Sequence, residues 1–155
     1  MDYETLKVEM GANGVVSLVL NVPEKRNALS ARMIAELTDF ATTTENHPQM
    51  RVVVLSGRGK FFCAGGDLDW MKAQIAADRA TRMIEARKLA EMLRALNEMP
   101  LPLISKITGG AFGGGVGIGR GGRPDRRLSE AEIHARSLFA RFNKRGRRHH
   151  QYLCG

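Results

Sequence analysis

Gly59-Lys60-Phe61-Phe62-Cys63-Ala64-Gly65-Gly66-Asp67-Leu68-Asp69-Trp70-Met71 is the stretch on which the reading of this chain turns. A strand-to-loop transition gives way to a stretch of small residues and then to a helix. Small side chains let a ligand approach the backbone, and free N–H groups at a helix start can receive an oxygen that carries negative charge. A single glycine cluster is more often a tight turn or a close packing site. Here a second segment repeats the device: Gly109-Gly110-Ala111-Phe112-Gly113-Gly114-Gly115-Val116-Gly117-Ile118 sets three successive glycines between a strand pattern and a run that could enter a buried helix.

Working outward, Leu6 to Met10 and Val15 to Leu20 are apolar, β-branched runs joined by Gly11-Ala12-Asn13-Gly14, which predicts a β-hairpin. Residues 23–27 form a charged loop. Ser30 is a good N-cap ahead of Met33, Ile34, Leu37, Phe40 and Ala41, whose spacing predicts a helix to about Asn46. Val52-Val53-Val54-Leu55 reads as a strand buried on both faces. Residues 78–98 predict the longest helix, with Met83, Ala86, Leu89, Ala90, Leu93 and Leu96 along one side. Pro100 and Pro102 stop it, and residues 103–107 read as the next strand. Strands alternating with helices in this way predict an α/β architecture with crossover connections.

A chain of 155 residues with 43% hydrophobic content is long enough to bury the core of one domain. No apolar run approaches the length needed to cross a bilayer, and the first residues lack the basic and apolar regions of a leader, so the expectation is a cytosolic protein without membrane contact. Cys63 and Cys154 match no metal-ligand spacing and make no disulfide scaffold, in keeping with a reducing compartment and no metal. The net charge of +8 is concentrated at one end: residues 119–155 hold 10 Lys and Arg against 3 Asp and Glu. Two regions follow from this, 1–118 and a basic, Gly- and Arg-rich tail 119–155, expected to be disordered apart from a helix over residues 129–142.

Three segments in register resemble the enoyl-CoA hydratase/isomerase (crotonase) family: Arg26-Asn27-Ala28-Leu29, Phe62 to Leu68, and Gly113 to Gly115. The resemblance runs from about Tyr3 to Ile118 and implies the N-terminal part of a crotonase-like ββα spiral fold, with an acyl-CoA thioester as substrate. Coenzyme A would be part of that substrate, and no other cofactor is implied. The continuation Asp67 to Met71 looks most like members that hydrate methylglutaconyl-CoA or related branched thioesters. In the family the thioester oxygen sits between two backbone N–H groups, by position those of Gly66 and Gly114. An enolate would place charge on that oxygen, and each fixed donor in a dry site contributes roughly 3 kcal/mol. The resemblance also sets the adenine against the segment matching Ala64, Asp67 and Leu68. The loop matching Lys25, Arg26 and Ala28 lies along the coenzyme, its two basic residues near the phosphates.

Other polar and reactive residues take plainer roles. Cys63 reads as a packed small side chain, since nothing nearby in sequence supplies a base or cation to activate it. Trp70 and Met71 pack on the core or line the acyl pocket, and Asp69, Arg82, Arg87 and Arg94 are solvated charges. His134, His149 and His150 have no metal-ligand partner at a recognised spacing.

The resemblance also has a break. Family hydratases use two glutamates, the first two residues past the triple glycine, where this chain has Gly117. Some branches carry glycine there and rely on a later carboxylate, which by counting falls near Ser137; Glu130 and Glu132 are the nearest acids, and neither stands in the family's pattern. The expectation is a truncated or frame-shifted copy, lacking the strands and helices that close the site and build the family's homotrimer or hexamer. A nucleic-acid-binding role for the tail is the rival, opposed by its few aromatics and the lack of a recognisable motif; an inert fragment is the third reading. Limited trypsin digestion should cut first between Arg120 and Arg127 and between Arg141 and Arg148, while Arg82, Arg87 and Arg94 stay protected. Earlier cutting within residues 59–71 would show that the tail belongs to the core.

Overall fold

In a computed structural model, which describes residues 2–121, the hairpin opens the chain as β1 (Leu6–Met10) and β2 (Val15–Leu20). Its turn closes through the Gly14 N–H donating to the Gly11 carbonyl at 3.0 Å, with Gly14 at a φ of 79° that a side chain would strain. Helix α1 (Ala31–Thr43) follows, its first turn capped by the Ser30 hydroxyl, which accepts from the Met33 N–H at 3.2 Å. A short 3₁₀ turn, Thr44–Asn46, carries the helical path to the expected end.

Then come β3 (Val52–Gly57), β4 (Phe61–Cys63), α2 (Leu68–Ala76), α3 (Arg79–Glu98), β5 (Leu103–Lys106), β6 (Gly110–Ala111) and α4 (Gly114–Gly121). The strands form two sheets. One is four-stranded in the order β1-β2-β3-β5, and the other pairs β4 with β6. Only the β1–β2 pair is antiparallel; β2–β3, β3–β5 and β4–β6 are parallel, so helices must carry the chain back between them. The α4 helix passes Gly119, the expected boundary of the tail, and reaches Gly121. The expected helix over residues 129–142 and the remainder of the tail lie outside the described residues.

Strand register explains the core. Val16 pairs Val53, which pairs Leu103, and Leu18 pairs Leu55, so one face of the sheet carries an apolar row across three strands. Val16, Leu18, Val53 and Leu55 are fully buried, together with Met33, Ile34, Leu37, Phe40 and Ala41 of α1, the five residues read from helical spacing. β3 corrects one expectation: Val53 and Leu55 are buried, but Val52 and Val54 are only half-buried. The strand has one densely packed face, because the helices that share its core lie on that side.

A second correction concerns α3. Leu89 and Leu93 pack on the core and Leu96 is buried as expected, but Met92 joins them, while Met83, Ala86 and Ala90 are exposed. Leu89, Leu93 and Leu96 hold the predicted stripe, but its first half, at Met83 and Ala86, has no core to cover it. The helix seats only its second half, through larger side chains at i, i+3, i+4 and i+7.

The start of the chain is held to α1 by a buried carboxylate. Glu36 Oε1 accepts from the Glu4 N–H at 3.0 Å and from Arg32 Nε at 2.7 Å; Oε2 accepts from the Thr5 N–H at 2.9 Å and from the Thr5 hydroxyl. Burial pushes this carboxyl up, but the donors from Thr5, Glu4 and Arg32 outweigh it and hold the group below its usual range. A carboxyl with a depressed folded value adds stability above its unfolded value and loses it as pH falls. Glu36→Gln should therefore cost about 1–3 kcal/mol at neutral pH, because an amide turns a donor toward backbone N–H groups. In urea unfolding followed with pH, the gap to wild type should narrow below about pH 4.5, the ordinary value for this group. A gap that holds constant into acid would show that the charge is not what binds the segment.

Candidate functional site

Residues 22–29 make an unusual turn on which the site is built. Arg26 and Asn27 both have a φ of 54°, two successive left-handed residues that together cost a few kcal/mol unless held in place. Asn27 does much of the holding. Its side chain is fully buried; Oδ1 accepts from the Val22 N–H at 3.0 Å, and Nδ2 donates to the carbonyls of Arg58 and Phe61, each at 2.9 Å. The Arg26 guanidinium lies 5.3 Å from the centre of the Phe61 ring. The loop between β3 and β4 is thereby tied to the turn between β2 and α1.

From this turn, three pieces of backbone lie side by side. The Ala64 N–H donates to the Arg26 carbonyl at 3.0 Å, the Leu29 N–H to the Gly65 carbonyl at 2.7 Å, and the Asp67 N–H to the Leu29 carbonyl at 3.0 Å. On the other side the Phe112 N–H donates to the Cys63 carbonyl at 2.9 Å. A parallel bridge joins Leu29 and Gly66. It uses the carbonyl of Gly65 and the N–H of Asp67, which leaves the N–H of Gly66 itself directed away from Leu29. Among the described residues that N–H has no protein acceptor. Gly114 is the first residue of α4, so its N–H has no intrahelical acceptor, and none of the described residues accepts from it.

The glycines are there because backbone passes backbone. A Cβ on Gly65 would stand 2.9 Å from the Phe112 carbonyl oxygen and 3.7 Å from the Gly113 Cα. On Gly115 it would stand 2.7 Å from the Cys63 carbonyl oxygen. On Gly114 it would come within 2.7 Å of a Leu29 methyl. β4 and β6 run parallel and end together, and each hands its chain through a short, glycine-containing loop to the start of a helix, α2 or α4. Both helix starts offer partial positive charge to that region.

The residues named from sequence fall around this junction in different ways. Asp67 is buried and caps α2: Oδ1 accepts from the N–H groups of Asp69 and Trp70, each at 3.0 Å. Its carboxyl is held below the usual range by the Trp70 N–H first, and by Lys25 beside it. Lys25 is exposed, with its Nζ 3.3 Å from Asp67 and 3.3 Å from Asp69, so Asp69 is ion-paired as well as solvated. Ala28 and Ala64 are half-buried, Arg26 is exposed, and Leu68 is 68% exposed at the start of α2. Cys63 is fully buried and its thiol is pushed up to about 11 by desolvation, which makes it a packing residue beneath Gly115. Gly117 faces α3: a Cβ there would meet a methyl of Leu93 at 3.1 Å.

Sequence reasoning passed over Asn27, Phe61 and Leu29 as individuals. Asn27 stood inside the Arg-Asn-Ala-Leu segment, and the signal available was that Asn tolerates left-handed backbone better than any other residue in that run except Gly would. Asn27→Ala should cost about 3 kcal/mol, from a left-handed alanine plus three partly buried backbone groups left without partners. Asn27→Asp keeps the acceptor for Val22 but turns a buried carboxylate toward the carbonyls of Arg58 and Phe61, so it should fall at least as far as the alanine. Thermal unfolding of the two variants checks this, and a loss under about 1 kcal/mol in Asn27→Ala would show that the turn stands without the clamp.

Comparison with known proteins bears on the family and the fold. The family described as enoyl-CoA hydratase/isomerase matches residues 10–120. The enoyl-CoA hydratase AKT6-1 of Alternaria alternata is 34% identical over 105 residues, covering 68% of this chain and 33% of that protein. The mitochondrial Delta(3,5)-Delta(2,4)-dienoyl-CoA isomerase of Mus musculus is 32% identical over 125 residues, covering 76% of this chain and 38% of that protein. Among solved structures, an enoyl-CoA hydratase from Shewanella pealeana ATCC 700345 superposes with a TM-score of 0.71 at 32% identity, covering 74% of this chain and 43% of that one. This chain belongs to the enoyl-CoA hydratase/isomerase family and has the α/β crotonase fold expected for the N-terminal part; it spans well under half the length of these relatives.

Proposed function

We propose that this member of the enoyl-CoA hydratase/isomerase family binds an acyl-CoA thioester with the thioester oxygen between the N–H groups of Gly66 and Gly114. The observation that supports the reading is the paired ending of β4 and β6, which brings two short, glycine-containing loops together, each with an N–H that no described residue accepts from. Two such donors stabilise an enolate more than its parent thioester, because charge grows on the oxygen as the α-proton leaves. Ala64, Asp67 and Leu68 would lie along the adenine. Lys25 stands beside Asp67 and Asp69 and, with Arg26 next to it in the chain, would meet the phosphates, with Ala28 beside them.

Proton transfer is the step these residues do not supply. Gly117 offers no side chain and packs toward Leu93, and the Cys63 thiol is buried and neutral. Asp67 has both oxygens committed, to a helix start and to Lys25. A site built this way holds and polarises a thioester but lacks a group to deliver water, and a positioned acid–base residue contributes typically 10²- to 10⁴-fold. Crotonyl-CoA should bind in calorimetry, while hydration of crotonyl-CoA or methylglutaconyl-CoA should run at least roughly a hundredfold below an ordinary family hydratase. Failure to bind any CoA compound would remove the site, and turnover at an ordinary rate would show that an acid–base group has been overlooked.

A further inference from the structure

Leu29 meets both loops that carry the proposed donors, one through its main chain and the other through its side chain. Its own place is fixed on either side. Its N–H donates to the Gly65 carbonyl at 2.7 Å, its carbonyl accepts from the Asp67 N–H at 3.0 Å, and the next residue, Ser30, caps α1. The side chain is buried in the core.

The directions of the two donors follow from these bonds. A trans peptide is planar, so the N–H of each residue points opposite to the carbonyl of the residue before it. The Gly65 carbonyl is turned to the Leu29 N–H, and the Gly66 N–H is therefore aimed the other way. At α4 the Gly113 carbonyl accepts from the Val116 N–H at 3.1 Å, so the Gly114 N–H points back out of the helix start. Hydrogen bonds thus set both directions, but not the distance between the donors.

That distance is a matter of packing. A Cβ on Gly114 would stand 2.7 Å from Leu29 Cδ1, and outside its chain neighbours and its own helix backbone it would meet no other described atom within 4 Å. The other close approaches of α4 lie farther along, where Gly115 passes Cys63, Gly117 faces Leu93 and Gly119 faces Ile107. The Leu29 methyl is what stands against the first residue of the helix. In a close-packed core such a methyl does not yield without moving its neighbours.

We propose that Leu29 is a positioning residue for the oxyanion arrangement: its N–H aims the Gly66 donor, and its δ-methyl spaces Gly114 from that donor so that both reach one thioester oxygen. The inference rests on the thioester site proposed above and deepens it by assigning what keeps the two donors in step. Leu29 acts through the two peptides and not on the substrate.

The probe is cinnamoyl-CoA, whose absorption moves to the red when its thioester carbonyl accepts hydrogen bonds, because excitation places more negative charge on that oxygen. The full chain is titrated with it, and free CoA is titrated by calorimetry for comparison. Wild type should show the red shift. Leu29→Val withdraws both δ-methyls; it should lose most of the shift and weaken cinnamoyl-CoA roughly fivefold or more, leaving free CoA within about twofold. Leu29→Met keeps a heavy atom at the δ position and should retain the shift. Gly114→Ala presses on the same methyl from the other side and should also lose the shift. Combined with Leu29→Val, its new methyl takes the space given up, and much of the shift should return, the mark of coupled neighbours. Leu37→Ala, at a fully buried residue two turns into α1, controls for stability: it should lower Tm at least as far as Leu29→Val and leave the shift in place. Should Leu29→Val fail to fold, Gly114→Ala against Leu37→Ala decides the matter. If Leu29→Val keeps the full shift, or Leu37→Ala loses it equally, Leu29 is ordinary core, and the proposal falls while the thioester site stands. Absence of the shift in wild type removes the thioester site and this inference with it.

Discussion

Two stretches of backbone must pass at contact distance where residues 63–67 meet residues 110–115, and the chemistry proposed for this chain depends on that passage. The hydrogen bond from the Phe112 N–H to the Cys63 carbonyl draws β4 and β6 together, and a side chain at Gly65 or Gly115 would force them apart. Once they are together, parallel pairing dictates the rest. Parallel strands end on the same side, so the loops that follow them end there too, and so do the helix starts. One geometric requirement thus accounts for the glycines, the small residue Cys63 beneath them and the convergence of two N–H groups on one region. Cys63 serves here through its size, since desolvation holds its thiol neutral.

The passage is braced from the opposite side by a turn that is costly by itself. Two left-handed residues in succession would open readily in isolation. Arg26 and Asn27 hold that shape because their groups are used elsewhere: the Arg26 carbonyl receives the Ala64 N–H, and the Asn27 amide closes the β3–β4 loop. The strain therefore sits next to the proposed site and is balanced by bonds that define it. Leu29, two residues after Asn27, carries both bonds to the Gly65–Asp67 segment and has a methyl near Gly114, so one residue touches both loops that carry the proposed donors.

Much of this was legible in the sequence, and what was missed has physical causes. The hairpin, α1 with its Ser30 cap, β5 and the order of elements follow from periodicity and turn chemistry, which are local. β6, two residues long, carries no periodicity; it exists because Phe61 and Cys63 offer a partner. Met83, Ala86 and Ala90 share the apolar stripe of α3 in the sequence, and only the position of α1 and the sheet decides how much of that stripe is covered. The family segments point to the region of the proposed site, but the role of Asn27 depends on carbonyls 31 and 34 residues away. The pairing of Trp70 with Glu85 depends likewise on how α2 and α3 are set against each other. Neither distance is visible to a reading that moves along the chain.

The contact of Gly117 with Leu93 shapes what this half-length chain can do chemically. At that position α4 leans on α3, so the helix that offers the Gly114 N–H is seated by an apolar contact where family hydratases carry a glutamate. A carboxylate placed there would have to displace a leucine methyl and remain charged against an apolar neighbour, which desolvation opposes. Binding and polarisation of a thioester need only the backbone at Gly66 and Gly114 in a dry setting. Moving a proton needs a side chain, which Gly117 does not carry. The two capacities are separable in the fold because one is carried by main chain at helix and strand ends, and the other by side chains that the described residues place elsewhere, in capping α2 and in holding the indole of Trp70.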